Sequence, residues 1–405
     1  MSYGFSNWKK MPRWLEWVYE RSPASVESAV QACLPLARPL LDHRVPVAML
    51  RGPTMAGGWG SVLLAGDGPA MEELPRRFFG GEPQRDELGA WPLWSLPTTL
   101  NRLGADADLV FARLDFISAG WLFRRGYLHV PEWLSSRIDV SSESEELAQD
   151  SHSLKDDLRV IRREGLSAEL TFDPGDCGEF YHTMYLPYAH RRHGSVEILR
   201  PLRQLRRAVR HGGILWVRRG RERISGAVFE RHRNVLRFLA LGTLDGNTEL
   251  LRAGALAALY LFLIRHAREQ RVDTIDLRGT RPYLTDGVLR YKCKWGAKIV
   301  PHRITDFDYL VRWSRANESI RRFLRHTPLI FRNHGRLAAI TAGNVEPFQA
   351  SSEEDLRCQR LWLPGVDELF ALGEQENEVW TRSRAIPGHD WERRFLSLDR
   401  RCVGS

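Results

Sequence analysis

The most constraining feature of this chain is a run of three strand-like segments joined by tight polar turns, then one long apolar helix, then a further strand. Residues 214–218, 224–231 and 234–241 are rich in β-branched, aromatic and leucine side chains. Arg219-Gly220-Arg221-Glu222 connects the first two, and a second tight turn leads to the third. Connections this short make an antiparallel meander. The meander ends at Leu241-Gly242-Thr243-Leu244-Asp245-Gly246. A buried helix is expected over 248–270 and a strand over 272–277, closing on Asp276-Leu277-Arg278-Gly279.

The rest of the chain is read around that block. At 405 residues, two or three domains are expected. Hydrophobic residues at 43% with charged residues at 27% are globular values, and the longest apolar run, 253–264, is too short to cross a bilayer. The 59 Lys+Arg against 50 Asp+Glu give +9, which permits an anionic partner without demanding one. Cys33, Cys177, Cys293, Cys358 and Cys402 are scattered, without metal-site spacing, which argues for a reducing compartment and against a structural metal. No secretory signal is visible, so a soluble cytoplasmic protein is expected. The basic residues are nearly all arginine, yet Lys292, Lys294 and Lys298 crowd into one short segment.

Residues 8–19 form a Trp-rich basic helix that either docks on the first domain or lies on an anionic membrane surface. Short strands at 47–50, 61–65 and 109–114 and a helix at 116–126 make an α+β unit. Serines and acids at 141–143 cap a helix and mark the main boundary. The next helix, 154–164, carries Lys155, Arg159, Arg162 and Arg163 beside its apolar face. A strand follows at 167–172, then helices at 177–192 and 199–211, the second bearing Arg203, Arg206, Arg207 and Arg210. Those arginines, with Arg218, Arg219, Arg221 and Arg223, are the best candidates for touching a polyanion such as RNA. From 315 onward a basic helix at 318–326 precedes loosely patterned, proline-spaced sequence.

Four pieces in this order resemble the FemAB-like branch of the GCN5-related N-acetyltransferase (GNAT) fold, the peptidyltransferases and their exopolysaccharide acetyltransferase relatives. They are Ile138-Asp139-Val140-Ser141 running through Arg162-Arg163-Glu164-Gly165; Phe180-Tyr181-His182-Thr183-Met184 with His190-Arg191-Arg192-His193-Gly194; the meander with its helix; and Asp286-Gly287-Val288 through Tyr291-Lys292 to Trp295-Gly296. The resemblance implies an α+β fold of tandem GNAT-like (acyl-CoA N-acyltransferase) domains, with mixed, mostly antiparallel sheets flanked by helices. It divides the chain into an N-terminal helix and degenerate GNAT-like domain (1–137), a catalytic domain (138–314) and a helical or irregular extension (315–405).

The same resemblance implies an acyltransferase moving an acyl or aminoacyl group onto an amine or hydroxyl without metal or covalent intermediate. Backbone donors around Leu239, Ala240, Leu241 and Gly242 would polarise the acyl carbonyl. Residues 245–252, with Thr243, Gly246, Asn247, Thr248 and Arg252, would face the donor's phosphates at a helix start. The Gln/Arg-x-x-Gly-x-Gly/Ala loop that binds the pyrophosphate of coenzyme A is absent, and Asp245 and Glu249 place negative charge there. Acyl-CoA and aminoacyl-tRNA therefore both remain as co-substrates, with no tightly bound cofactor. An extended Tyr291–Lys294 stretch would point Lys292 and Lys294 to one side, and the resemblance gives Lys292 a site role. Asp276 and Asp286 are candidate bases, and Arg278 and Arg281, with Tyr291 and Trp295, would hold the acceptor. That acceptor would be a small molecule or cell-envelope precursor, with tRNA as a candidate partner and no DNA. The competing reading is a catalytically silent GNAT-like module that binds RNA or an envelope precursor.

Overall fold

The computed structural model describes residues 44–68, 70–140, 152–193, 199–301, 307–343, 357–358, 360–373, 378–383 and 392–395. The basic helix expected over 8–19 lies outside them. The chain divides into two compact units. One contains the described residues up to Leu134, Thr280–Arg290 and those from Ile299 onward; the other contains Ser135–Gly279 and Tyr291–Lys298. A first boundary near 137 was expected, and the division falls at Leu134.

The first unit opens with β1 (Arg44–Pro53), β2 (Trp59–Ala65), β3 (Gln84–Pro92), β4 (Leu109–Asp115) and β5 (Leu128–Pro131). Every residue of β4 is buried, because it pairs in parallel with β2 on one side and antiparallel with Phe307–Trp313 on the other. The stretch from 315 is not the separate helical or irregular extension expected of it. Its helix, Glu318–His326, is capped by Asn317, whose side chain accepts from the Ile320 N–H at 3.0 Å. Leu329–Asn333, Arg336–Ala342, Glu368–Leu372, Glu378–Ser383 and Glu392–Phe395 then extend the same sheet to eleven strands. Proline spacing hid these strands, because each is only four to seven residues long.

The second unit carries β6 (Leu134–Asp139), β7 (Leu166–Thr171), β8 (Gly212–Arg219), β9 (Glu222–His232), β10 (Val235–Thr243) and β11 (Thr274–Thr280). In space they run β6-β11-β10-β9-β8-β7. The β8–β9–β10 meander is antiparallel, and β10 pairs in parallel with β11, the helix Ala255–Glu269 lying between them in the chain. One face of the sheet packs Leu236, Phe238 and Ile275 against Tyr260, Leu263 and Trp295. The other packs Trp216 and Ala240 against Phe180, Met184 and Leu205. The architecture is thus a mixed α/β one, with two mostly antiparallel sheets flanked by helices.

Two local departures matter. The single helix expected over 248–270 is two, Glu249–Arg252 and Ala255–Glu269, parted at Gly254. Gly254 sits at φ 85°, and a Cβ there would come within 2.9 Å of the Val160 side chain, so only glycine turns the chain while that close. The stretch 177–192 contains a π-helical turn, Phe180–Tyr185, whose wider winding lets Phe180 meet Trp216 edge-on at 6.1 Å.

Candidate functional site

The meander strand β10 carries one residue more than its partner. Phe238 faces Phe229 and Ala240 faces Val228, leaving Leu239 as a bulge. Leu239 and Ala240 consequently pack on the same face of the sheet, although they are neighbours in sequence. On its other edge, β10 pairs with β11 only from Val235–Thr274 to Arg237–Asp276. Beyond that point the parallel ladder stops, and the two strands part where the bulge begins. A kinked strand leaving its neighbour exposes backbone polar groups that a continuous ladder would have used.

Charged side chains crowd this parting. Glu230 of β9 is buried and accepts from Arg237 at 3.3 Å. Asp276, buried on β11, accepts the Arg278 N–H at 2.8 Å, and its other oxygen lies 3.9 Å from the Arg278 guanidinium. Arg278 has φ 63°, a left-handed conformation that turns the chain as β11 runs past Asp276. Burial pulls the Arg278 guanidinium below its ordinary range, and Arg200 pulls it further in the same direction. Arg200 donates through Nε to the Leu239 carbonyl at 3.2 Å, and its N–H donates to the Tyr185 hydroxyl at 2.9 Å. Burial pushes that hydroxyl up, with Arg200 opposing. Arg200, Arg237 and Arg278 thus gather around Glu230 and Asp276.

Lys292 braces the same place from behind. Residues 291–294 are not extended, as their alternation suggested, but belong to the helix Gly287–Lys294. The buried Lys292 ammonium donates to the carbonyls of Leu277, Arg278 and Gly279 at 2.7, 3.2 and 3.1 Å. These three acceptors fix the β11 turn around Arg278 and make Lys292 a positioning group for it. Lys294 instead pairs with Asp157 at 2.7 Å. Tyr291 and Trp295 flank the buried Tyr260 ring at 5.4 and 5.7 Å, inside the core instead of lining an open surface.

The remaining candidates separate. Asp286 belongs to the first unit and caps the helix Gly287–Lys294, accepting from the Leu289 N–H at 2.7 Å. Arg281 also belongs to the first unit, where it pairs with Glu73 at 2.6 Å and stacks on Trp133 at 4.2 Å. The glycines after the bulge are sites of close approach. A Cβ on Gly242 would lie 2.5 Å from the Met184 carbonyl carbon, and the Gly242 carbonyl accepts from Ser225 at 2.8 Å. Thr243 is buried, and its hydroxyl finds no partner among the described residues. The Gly246 carbonyl accepts from Arg191 at 3.2 Å.

The loop expected to face phosphates is occupied by its own contacts. Asn247 accepts from the Glu249 N–H at 2.9 Å. Exposed Arg252 pairs with Glu249 at 2.6 Å. Thr248 heads only the four-residue helix Glu249–Arg252, while the long helix begins behind Gly254 against Val160.

Sequence reasoning missed Arg200, Glu230 and Arg237. Arg237 was detectable as the polar residue between Leu236 and Phe238, whereas Arg200 reaches β10 from 39 residues away. The arginine-rich surface is also thinner than expected. Arg207 is buried, and Arg218 and Arg223 both pair with Glu169, the Arg223 contact holding that carboxyl below its usual range. Among the described residues, no His/Cys/Asp/Glu group could hold a metal, and no helix is long and apolar enough to cross a membrane.

No family model and no curated protein matches the chain. Among solved structures it is similar to FemX at 13% identity and a TM-score of 0.36, over 68% of this chain and 90% of that one. It is similar to L-PGS from Bacillus licheniformis at 12% identity and 0.34, over 67% and 86%. A GCN5-related N-acetyltransferase from Sphaerobacter thermophilus matches at 15% identity and 0.29, over 62% and 71%.

Proposed function

We propose that the second unit transfers an acyl or aminoacyl group onto an amine or hydroxyl acceptor at the parting of β10 and β11. The observation that carries this reading is the coincidence within a few residues of the Leu239 bulge and the end of the β10–β11 ladder, beside which Arg200, Arg237 and Arg278 gather around Glu230 and Asp276. A developing oxyanion is stabilised by fixed donors in a dry site, and each such donor is worth about 10²–10³ in rate. In the proposed reaction an amine forms its C–N bond to the donor's carbonyl carbon while the ester C–O bond breaks. The proton lost by the amine ends on the departing oxygen. Asp276 orients the acceptor's N–H, and Arg278 faces the growing negative charge.

An aminoacyl ester of tRNA fits this loop better than coenzyme A. Glu249 and Asp245 stand where a pyrophosphate would lie, and Arg252 is already paired. The test is transfer from radiolabelled aminoacyl-tRNA and from acetyl-CoA onto a panel of amines. Turnover with the first that falls about a hundredfold in Asp276→Asn and Arg278→Gln supports the reading. Transfer unchanged in both variants removes the site. Specific support for a silent module comes from Lys292, whose ammonium is spent on three backbone carbonyls. Saturable tRNA binding without turnover of either donor would establish that second reading.

A further inference from the structure

A cavity in the same unit lies apart from the Leu239 bulge, with only Leu236 drawn from the β10–β11 ladder. It holds about 350 Å³, near the lower end for small-molecule sites, and opens beside the first residues of β8 and β10. Its floor is His266, from the last turn of the helix Ala255–Glu269, with the imidazole against the Phe229 ring at 5.2 Å. His266 is 8% exposed and therefore a buried polar group turned into a cavity. Arg231 and Arg210 also line it, Arg231 donating through Nε to the Arg233 carbonyl at 3.2 Å, together with Phe172, which is 59% exposed. None of the described lining residues is acidic, and Val209, Leu236 and Val272 make its walls apolar.

We propose that this cavity binds a small aromatic anion, a ring bearing one carboxylate. The ring would slot between Phe172 and Phe229, and the carboxylate would meet Arg231 and His266. Ring faces prefer offset or edge contacts with other aromatics, and Phe172 and Phe229 are both among the lining residues. A carboxylate receives charge-assisted hydrogen bonds from a guanidinium, and these are about twice as strong as neutral ones.

The experiment uses the full chain and two probes of one shape, phenylacetate and uncharged 2-phenylacetamide, in calorimetric titrations. Phenylacetate is expected to saturate at one per chain and the amide to bind at least about tenfold more weakly. Arg231→Gln should weaken phenylacetate about tenfold, and Phe172→Ala, at an exposed position that leaves the core untouched, should weaken both probes. The His266 imidazole C–H resonance should shift during titration of the wild type. Equal binding of the two probes, no saturable binding of phenylacetate, or indifference to both substitutions would each overturn the proposal.

Discussion

Each unit of this molecule buries arginines and carboxylates around a parallel strand pair, and the two treat them differently. In the first unit β2 and β4 pair from Val62–Leu109 to Ala65–Ala112, and β4 is covered on its other edge by Phe307–Trp313 over its whole length. Arg113 meets Glu132 through Nε at 3.2 Å and Nη2 at 3.1 Å, and the Tyr309 hydroxyl donates to the same carboxylate at 3.3 Å. The guanidinium and the carboxylate meet in bidentate register there, Asp67 lies a further 3.9 Å from the guanidinium, and the ladder is closed. In the second unit the pair opens after Arg237–Asp276, with Arg200, Arg237 and Arg278 gathered beside Glu230 and Asp276 at the opening. A bidentate pair within a closed ladder fixes a sheet, whereas charged side chains beside parted strands leave polar groups within reach of a ligand. The contrast separates a scaffold from a candidate site without reference to any relative.

The comparison breaks first, and most visibly, at the bidentate pair. Arg113→Ala leaves Glu132 buried without its guanidinium and is expected to lower unfolding free energy by about 3–5 kcal/mol in denaturant titrations. Arg278→Gln should act on transfer instead, cutting it about 10²–10³-fold while the midpoint of unfolding moves far less than for Arg113→Ala. If Arg278→Gln proves the more destabilising of the two, the distinction fails. Lys292→Met should cost about 2–3 kcal/mol, because it strands three carbonyls that had a charged donor, and transfer should fall with it. Gly254→Ala is expected to cost about 1–2 kcal/mol through its left-handed φ and the Val160 contact, with transfer kinetics unchanged.

The smallest effect sharpens the second unit's charge ledger through pH. Burial holds the His266 pKa below its ordinary value of about 6.5, with Glu269 opposing and Arg231 assisting. The unfolded chain then binds the proton first as pH falls. Stability from this group is complete above about 6.5 and declines as acid approaches the depressed folded value. His266→Gln should flatten that acid limb of the stability curve, measured by thermal melts between neutral and mildly acidic pH.

Much of the fold was legible because its signals are local. The β8–β9–β10 meander stands where turn residues and strand periodicity put it, and the basic helix Glu318–His326 matches its sequence bounds. The site was less legible because its parts come from distant segments. Leu239 could not be read as a bulge, since Phe238-Leu239-Ala240-Leu241 is apolar throughout and gives no alternation to break. Residues 291–294 misled for the opposite reason. Lys292-Cys293-Lys294 alternates like a strand, while the Asp286 side chain starts a helix that overrides the pattern. Lys292 stands out in the sequence by its rarity, while the folded structure shows its ammonium holding a turn.

The extra residue in β10 has a consequence for how such a strand could arise. Leu236 and Phe238 face one core, Ala240 the other, and Leu241 returns to the first. Deleting Leu239 would restore plain alternation without turning any of these side chains around or changing a single partner on β9. The opened edge is therefore one codon away from an ordinary hairpin, and the shortened chain should fold with the carbonyl that Arg200 grips no longer there.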